Sequence, residues 1–253
     1  MTFVEPQPLR TQIPLAYRGV ITTLRPVLAR ITRQEWSGGE HLPESGGFIV
    51  AGNHLSEIDP FMVAHYLVNH GWAPRFLAKS TLFDIKGLGM ALRNLGQVPV
   101  YRGTRQASDA LRDAAAAVTD GDAVVIMPEG TLTRDPDLWP MRAKSGVGRL
   151  ALMTGAPVIP IAQWGVQNLL APYARRPTGL FSRHVMHVKA GPAVDLSDLM
   201  GREDSAAATE ATERIMAQLT QQLAQIRGEE PPATPFVWDG KKESRNRKRR
   251  SAK

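Results

Sequence analysis

Short apolar runs alternate along the chain with longer segments whose apolar residues recur at helical spacing. The runs predict buried strands, and the longer segments predict helices that bury one face. The predicted strands are residues 47–51, 75–78, 98–100, 123–127, 157–163 and 184–190. The predicted helices are residues 60–69, 105–119, 145–154 and 205–227, with short helices over 81–95. This alternation predicts an α/β fold with a mixed, largely parallel central sheet flanked by helices.

Two segments of this pattern contain clusters of turn-forming residues or prolines within a strand. Residues 34–46 are rich in turn-forming residues and predict a loop. The strand predicted over residues 157–163 contains Pro157 and Pro160. Because proline cannot donate a backbone hydrogen bond, these prolines predict an edge strand or a bulge.

The pattern over residues 12–33 predicts an amphipathic helix in which arginine is the only charged residue type. Pro26 should kink or split this helix. A basic amphipathic helix can lie in the interface of an anionic membrane. The alternative is a helix that packs its apolar side on the core of its own domain. We expect the membrane role, and we therefore treat residues 1–34 as a membrane-surface segment.

The length of 253 residues suits one main domain, which we place at residues 35–228. Residues 229–253 predict a disordered tail. Residues 241–253 contribute +7, which equals the net charge of the whole chain, so the rest sums to about zero. A basic nucleic-acid-binding body is excluded, and we expect no nucleic-acid partner. The tail could bind anionic lipid, bind nucleic acid or stay solvated, and lipid is our preferred functional interpretation.

Several kinds of chemistry are excluded or disfavoured by composition. The chain has no cysteine, which excludes disulfides, a thiolate nucleophile and cysteine-ligated metals. His41, His65 and His70 show no ligand spacing, so we expect no metal and no cofactor. Prolines and glycines interrupt the longest uncharged stretch, residues 150–174, so no transmembrane helix is predicted.

The first predicted strand is followed by a histidine and an aspartate five positions apart. His54 lies just past the strand end and Asp59 lies where a helix begins. In α/β proteins, ligand sites form at the carboxyl ends of strands. A histidine oriented by a carboxylate can remove a proton from a hydroxyl near neutral pH. The structural alternative is that Asp59, followed by Pro60, caps the helix and His54 is an ordinary loop residue.

Polar residues also follow two other predicted strands. Arg102 follows residues 98–100 and could bind phosphate through two hydrogen bonds. Glu129 and Gly130 follow residues 123–127. Gly130 would let the backbone approach a ligand, and Glu129 could orient Arg102 or a substrate hydroxyl. Each feature alone could be a surface ion pair or a turn, but three polar strand ends in one sheet favour a site.

Four blocks of the sequence, in this order, resemble the glycerolipid acyltransferase family, the 1-acylglycerol-3-phosphate (PlsC-like) acyltransferases and their relatives. The blocks are Asn53-His54-x4-Asp59-Pro60, Gly96-Gln-Val-Pro-Val-Tyr-Arg102-Gly103, Met127-Pro-Glu-Gly-Thr131 and Ala156-Pro-Val-Ile-Pro160-Ile. The segments that begin at Lys79 and Lys144 also look like family features. The resemblance covers about residues 50–165 and does not extend to the N-terminal helix, the last helix or the tail.

The resemblance implies an acyl thioester donor, either acyl-CoA or acyl carrier protein, and glycerol 3-phosphate or lysophosphatidate as acceptor. By similarity, His54 would be the general base and Asp59 would orient its ring, with no covalent acyl-enzyme. The residues implied in acceptor and phosphate binding are Arg102, Glu129, Gly130, Thr131 and Lys79.

The third block departs from the family pattern. Leu132 stands where the family usually has an arginine, and Arg134, Arg142 or Lys144 could supply the charge instead. The resemblance also implies phospholipid synthesis. Because the implied substrates partition into bilayers and the N-terminal segment is basic and amphipathic, we expect peripheral attachment to an anionic membrane surface on its cytoplasmic face. The alternatives are acyl transfer to another lipid head group, a thioester or ester hydrolase with the same dyad, and a non-enzymatic lipid- or nucleic-acid-binding protein.

Overall fold

The computed structural model describes residues 15–101, 107–174, 176–177 and 183–239. The helices are α1 (Leu15–Ile31), α2 (Asp59–Asn69), α3 (Leu88–Asn94), α4 (Ala107–Thr119), α5 (Gly146–Thr154) and α6 (Ser205–Arg227). The strands are β1 (Thr32–Ser37), β2 (Phe48–Gly52), β3 (Pro74–Lys79), β4 (Val98–Val100), β5 (Ala123–Ile126), β6 (Val158–Trp164) and β7 (His184–Ala190). Within these ranges, no helix is both long and apolar enough to cross a bilayer.

The strands form one sheet in the order β1-β7-β6-β2-β5-β3-β4. Every neighbouring pair is parallel except β6 and β7. The predicted α/β fold with a mixed, largely parallel sheet is therefore confirmed. Because β2, β3, β5 and β6 run parallel, their carboxyl ends lie along the same edge of the sheet.

Successive residues of β2 face opposite sides of the sheet, as strand geometry requires. Ile49 and Ala51 pack in a core cluster that also contains residues of α4, α5 and α6. Phe48 and Val50 pack on the other side with residues of α2 and with Trp72. The sheet is thus buried between two helical layers, which explains the continuous apolar character of its central strands.

The prediction of a loop over residues 34–46 is wrong for residues 34–37. These residues belong to β1, which pairs in parallel with β7 from Thr32 to Ser37. Among the described strands, β1 has β7 as its one neighbour, and alternate residues of β1 are exposed. Trp36 supplies its main apolar contact, with ring centroids 5.6 Å from Tyr66. An edge strand of this kind needs few apolar residues, so the sequence carries little signal for it.

The edge position predicted for residues 157–163 is also wrong, since β6 lies between β2 and β7 and is buried. The antiparallel ladder with β7 begins only at Ile161. Before that point the chain after β7 bonds to β6 outside a regular ladder: the Gly191 N–H donates to the Pro160 carbonyl at 2.9 Å and the Val194 N–H to the Val158 carbonyl at 3.0 Å. Pro160 is tolerated because its carbonyl is used while its missing N–H falls outside the ladder.

Helix α1 packs its apolar side on the domain. Tyr17 is buried, and its hydroxyl donates to the Pro74 carbonyl at 3.0 Å. Leu28 and Ile31 contact a core cluster beside α2. Pro26 lies inside α1 without dividing it. The structure therefore shows the alternative in which α1 rests on its own core, and the membrane role of residues 1–34 stays a prediction.

Local sequence sets the ends of α6 where the pattern predicted them. Asp204 precedes the helix, and its Oδ1 accepts from the Ala207 N–H at 2.8 Å. Gly228 follows it with φ 66°, a left-handed conformation that favours glycine. The next residues, 229–239, return to the domain, where the Arg142 N–H donates to the Phe236 carbonyl at 2.9 Å. The predicted disorder is wrong for this part, and the basic tail lies outside the described residues.

The contact between α5 and α6 provides a test of the packing. A Cβ at Gly148 would lie 2.2 Å from the Ala208 carbonyl oxygen, whereas a Cβ at Gly146 would meet no atom within 4 Å. We expect Gly148→Ala to lower the free energy of unfolding by about 1–3 kcal/mol, because the helices must separate. Gly146→Ala, two residues away, should cause no loss. Urea unfolding followed by tryptophan fluorescence measures both, and equal midpoints would contradict this packing.

Candidate active site

The turn after β2 is anchored to β6 before it reaches His54. Asn53 is buried, and its side chain donates to the Gln163 carbonyl at 3.0 Å and accepts from the Gln163 N–H at 2.8 Å. The Gln163 side chain donates in return to the Asn53 carbonyl at 3.0 Å. Gln163 was not predicted from the sequence, although a polar residue inside an otherwise apolar strand is a signal of such a role.

His54 and Asp59 form a hydrogen-bonded pair, with 2.8 Å between Nδ1 and Oδ2. The same Oδ2 accepts from the N–H groups of Leu55 at 2.5 Å and Ser56 at 2.8 Å. Asp59 is fully buried, whereas the His54 side chain is 19% exposed. Because the carboxylate accepts from Nδ1, the His54 Nε2 carries the lone pair, and it has no hydrogen-bond partner among the described residues.

Asp59 does not cap α2, although it lies at the start of the helix. Ile58 occupies the cap position, Asp59 is the first helical residue, and the α2 cap has no side-chain hydrogen bond. The Asp59 carboxylate instead turns back to the loop at residues 54–56. Pro60 fits the first turn of the helix because its missing N–H would have no helical partner there.

The ionisation of Asp59 depends on this loop. Burial raises the pKa of Asp59 above its ordinary value, and the His54 ring and the N–H groups of Ser56 and Leu55 oppose the rise. Among the described residues, these are the donors that compensate a charge on the buried carboxyl group. The loop at residues 54–56 must therefore keep its position for the carboxylate to stay ionised.

Glu129 holds the main chain of His54 from the opposite side. Its Oε1 accepts from the His54 N–H at 3.1 Å, and its Oε2 accepts from the Met141 N–H at 2.9 Å. The His54 carbonyl in turn accepts from the Thr133 N–H at 2.8 Å. From the sequence, Glu129 was expected to orient Arg102 or a substrate hydroxyl. The structure gives both of its oxygens to backbone groups, since the side chain points inward and is buried.

Burial also changes the charge of Glu129. It raises the pKa of Glu129 to about 8, against the opposing effect of the two N–H donors. The nearby Asp59 carboxylate contributes to this rise. At neutral pH Glu129 is therefore mostly protonated and adds no negative charge beside the Asp59 carboxyl.

Lys144 lies closest to the predicted acceptor block among the three candidates for the missing arginine charge. A Cβ at Gly130 would lie 3.9 Å from the Cδ and Cε atoms of Lys144. Arg134 instead stacks on the Tyr173 ring at 3.8 Å. Arg142 donates its N–H to the C-terminal segment, as described above. Gly130 has φ 70°, so the turn that brings it to Lys144 favours glycine.

The remaining predicted residues are only partly described. Lys79 is exposed at the end of β3, opposite Val100 in the β3–β4 ladder. Thr131 is half-buried in the loop after β5. Arg102 lies outside the described residues. Among residues that are described, no group of three or more histidine, aspartate or glutamate side chains could hold a metal ion.

Comparison with known proteins identifies the family. The sequence profile described as Acyltransferase matches residues 33–164, about half of the chain. The chain belongs to this acyltransferase family. A chloroplastic 1-acyl-sn-glycerol-3-phosphate acyltransferase of Brassica napus is 33% identical over 135 residues, which are 53% of this chain and 38% of the relative. The 1-acyl-sn-glycerol-3-phosphate acyltransferase of Borreliella burgdorferi is 29% identical over 133 residues, 52% of this chain and 51% of the relative.

The chain thus spans about half or less of the length of these curated members of the acyltransferase family. A solved structure extends the likeness in fold. The 1-acyl-sn-glycerophosphate acyltransferase PlsC of Thermotoga maritima superposes with a TM-score of 0.63 at 23% identity, over 85% of this chain and 83% of that one. His54 and Asp59 both lie within the residues that match the family profile. The superposition with the solved structure covers 85% of the chain and so extends beyond residues 33–164.

Proposed function

We propose that the chain transfers a long-chain acyl group from acyl-CoA to a hydroxyl of lysophosphatidate or glycerol 3-phosphate in phospholipid synthesis. The observation that carries this proposal is the 2.8 Å contact between His54 Nδ1 and the buried Asp59 carboxylate. It leaves Nε2 available as a base at the carboxyl edge of the sheet. The names of the relatives favour lysophosphatidate as the acceptor.

The proposed step needs no covalent enzyme intermediate. His54 Nε2 takes the proton of the acceptor hydroxyl while that oxygen attacks the thioester carbonyl carbon. The new C–O bond forms, the C–S bond breaks, and the proton passes from the imidazolium to the leaving thiolate. Asp59 stabilises the imidazolium while it exists.

The acceptor phosphate would be held by cations at the same edge of the sheet. Lys144 beside Gly130 supports this assignment, and Lys79 and Arg102 complete the proposed set with Thr131. Both lipid substrates partition into bilayers, so we place the enzyme on the cytoplasmic face of a membrane as a peripheral protein.

Thiol release from palmitoyl-CoA tests the function. We expect release, followed with a chromogenic disulfide reagent, to require lysophosphatidate or glycerol 3-phosphate and to be absent without an acceptor. A parallel series with a palmitoylated acyl carrier protein identifies the donor. Release at the same rate without any acceptor would show a hydrolase and contradict the proposal.

A further inference from the structure

The segment between β3 and the end of α3 exposes large apolar side chains that the fold leaves uncovered. Within nine residues, Leu82, Ile85, Leu88 and Met90 are exposed by 38%, 50%, 42% and 61%. Exposed apolar groups this dense in a chain segment mark an interaction surface more often than isolated ones do. We call residues 82–90 the apolar segment.

The apolar segment has a defined structure around Phe83, which is buried. A Cβ at Gly89 would lie 1.9 Å from the Phe83 carbonyl oxygen, so only glycine permits this close approach. The same carbonyl accepts from Nη1 of Arg93 at 3.1 Å. Because Phe83 is buried and Gly89 lies against the Phe83 carbonyl, the backbone directs the other large apolar side chains of the segment towards solvent.

The apolar segment begins at the edge of the sheet that carries the dyad. It follows the carboxyl end of β3, and β3 is hydrogen-bonded in parallel to β5, which is paired in the same way with β2. His54 follows the carboxyl end of β2. Phe61, two residues after Asp59, is also exposed.

The charges around the apolar segment are mainly basic. Lys79, Lys86 and Arg93 are exposed, and Asp84 is the acidic residue among them. Aliphatic side chains that can enter the acyl region, bordered by cations that can meet lipid phosphates, match an anionic bilayer surface.

We propose that the apolar segment is the surface by which this protein docks on an anionic bilayer, with the dyad facing the lipid beside it. The choice of a bilayer rests in part on the proposed function, since lipid substrates reach the site from a membrane. It does not depend on α1, whose apolar side is used inside the domain.

Vesicle co-sedimentation tests the docking surface. With vesicles of phosphatidylglycerol and phosphatidylcholine, the Ile85→Ser/Met90→Ser double variant should bind about tenfold less than the wild type. Lys86→Glu should weaken binding to these vesicles and not to pure phosphatidylcholine. Met153→Ser is the matched control, because Met153 is 53% exposed near the end of α5, at the opposite edge of the sheet. It should bind like the wild type.

Unchanged vesicle binding by the double variant, with an unchanged urea midpoint, would overturn the docking surface. Loss of self-association in sedimentation velocity with vesicle binding intact would assign the segment to a second copy of the chain and also overturn it. Thiol release with detergent-dispersed substrates separates the two proposals. If the wild type shows no acyltransfer but the double variant loses vesicle binding, the proposed function is wrong and the docking surface stands. If the wild type shows acyltransfer and the double variant binds vesicles like the wild type, the docking surface is wrong and the proposed function stands.

Discussion

His54→Ala should lower the rate of acceptor-dependent thiol release by about a thousandfold, because the general base is removed. The fold should survive the change. The backbone bonds of His54 to Glu129 and Thr133 do not involve the imidazole ring. A cooperative urea transition of the variant, measured beside the rate, establishes that the protein is folded and that the loss is chemical.

Asp59→Asn is the companion variant that isolates the carboxylate charge. An amide oxygen in the place of Oδ2 can still accept from His54, Leu55 and Ser56. Oδ1 has no partner among the described residues, so an amide nitrogen there breaks no existing bond. We expect kcat to fall by about a hundredfold with little change in KM. A rate within tenfold of the wild type for His54→Ala would mean that another group removes the proton.

The sheet and the dyad could be predicted because their signals are local. A strand buried on both faces is apolar along its length, as in β2 and β5, and α6 has its own start and stop residues. His54 and Asp59 are five positions apart, so one turn determines whether they meet. The hydrogen bond between them is the part of the site for which spacing was sufficient.

The support around the dyad could not be predicted in the same way, because its contacts are distant in sequence. Glu129 reaches the His54 N–H across 75 positions, and Gln163 reaches Asn53 across 110. A carboxylate after a strand has the same sequence pattern whether it binds a substrate or a backbone N–H. Only the packing distinguishes the two, and it turns Glu129 inward.

The direction in which α1 faces shows the same limit. An amphipathic pattern states that a helix has an apolar side, and it does not state what covers that side. In the structure Tyr17 and Ile21 contact a cluster with Val68 and Ala73. Leu82, Ile85, Leu88 and Met90 are exposed in the apolar segment, where short helical turns give no clear period.

Glu129→Gln should change the pH dependence of stability in a direction set by the raised pKa of Glu129. Its pKa is about 8 in the folded chain, compared with an ordinary value of 4.5. Between these values the folded protein keeps a proton that the unfolded chain has lost. The stability that Glu129 contributes is therefore fully present below pH 4.5 and is lost as the pH rises to about 8.

Glutamine does not titrate, so the difference between wild type and variant isolates this effect. At pH 5 the variant should be less stable by about 1–3 kcal/mol, because the N–H of His54 or Met141 then faces an amide N–H₂ group. From pH 5 to pH 7.5 the wild type should lose about 3 kcal/mol relative to the variant, and the difference should shrink or reverse. Urea unfolding at half-unit steps of pH measures both curves.

The titration of His65 does not disturb this comparison. Burial lowers the pKa of His65 to about 4, so its contribution to stability is lost as the pH falls from its ordinary value of 6.5 towards 4. That change has the opposite sign to the effect of Glu129, but it occurs in both proteins and cancels in their difference. Parallel curves would mean that Glu129 is ionised in the folded state at neutral pH. Two carboxylates, Asp59 and Glu129, would then lie beside His54. The conclusion that Glu129 is neutral in the folded state would be wrong.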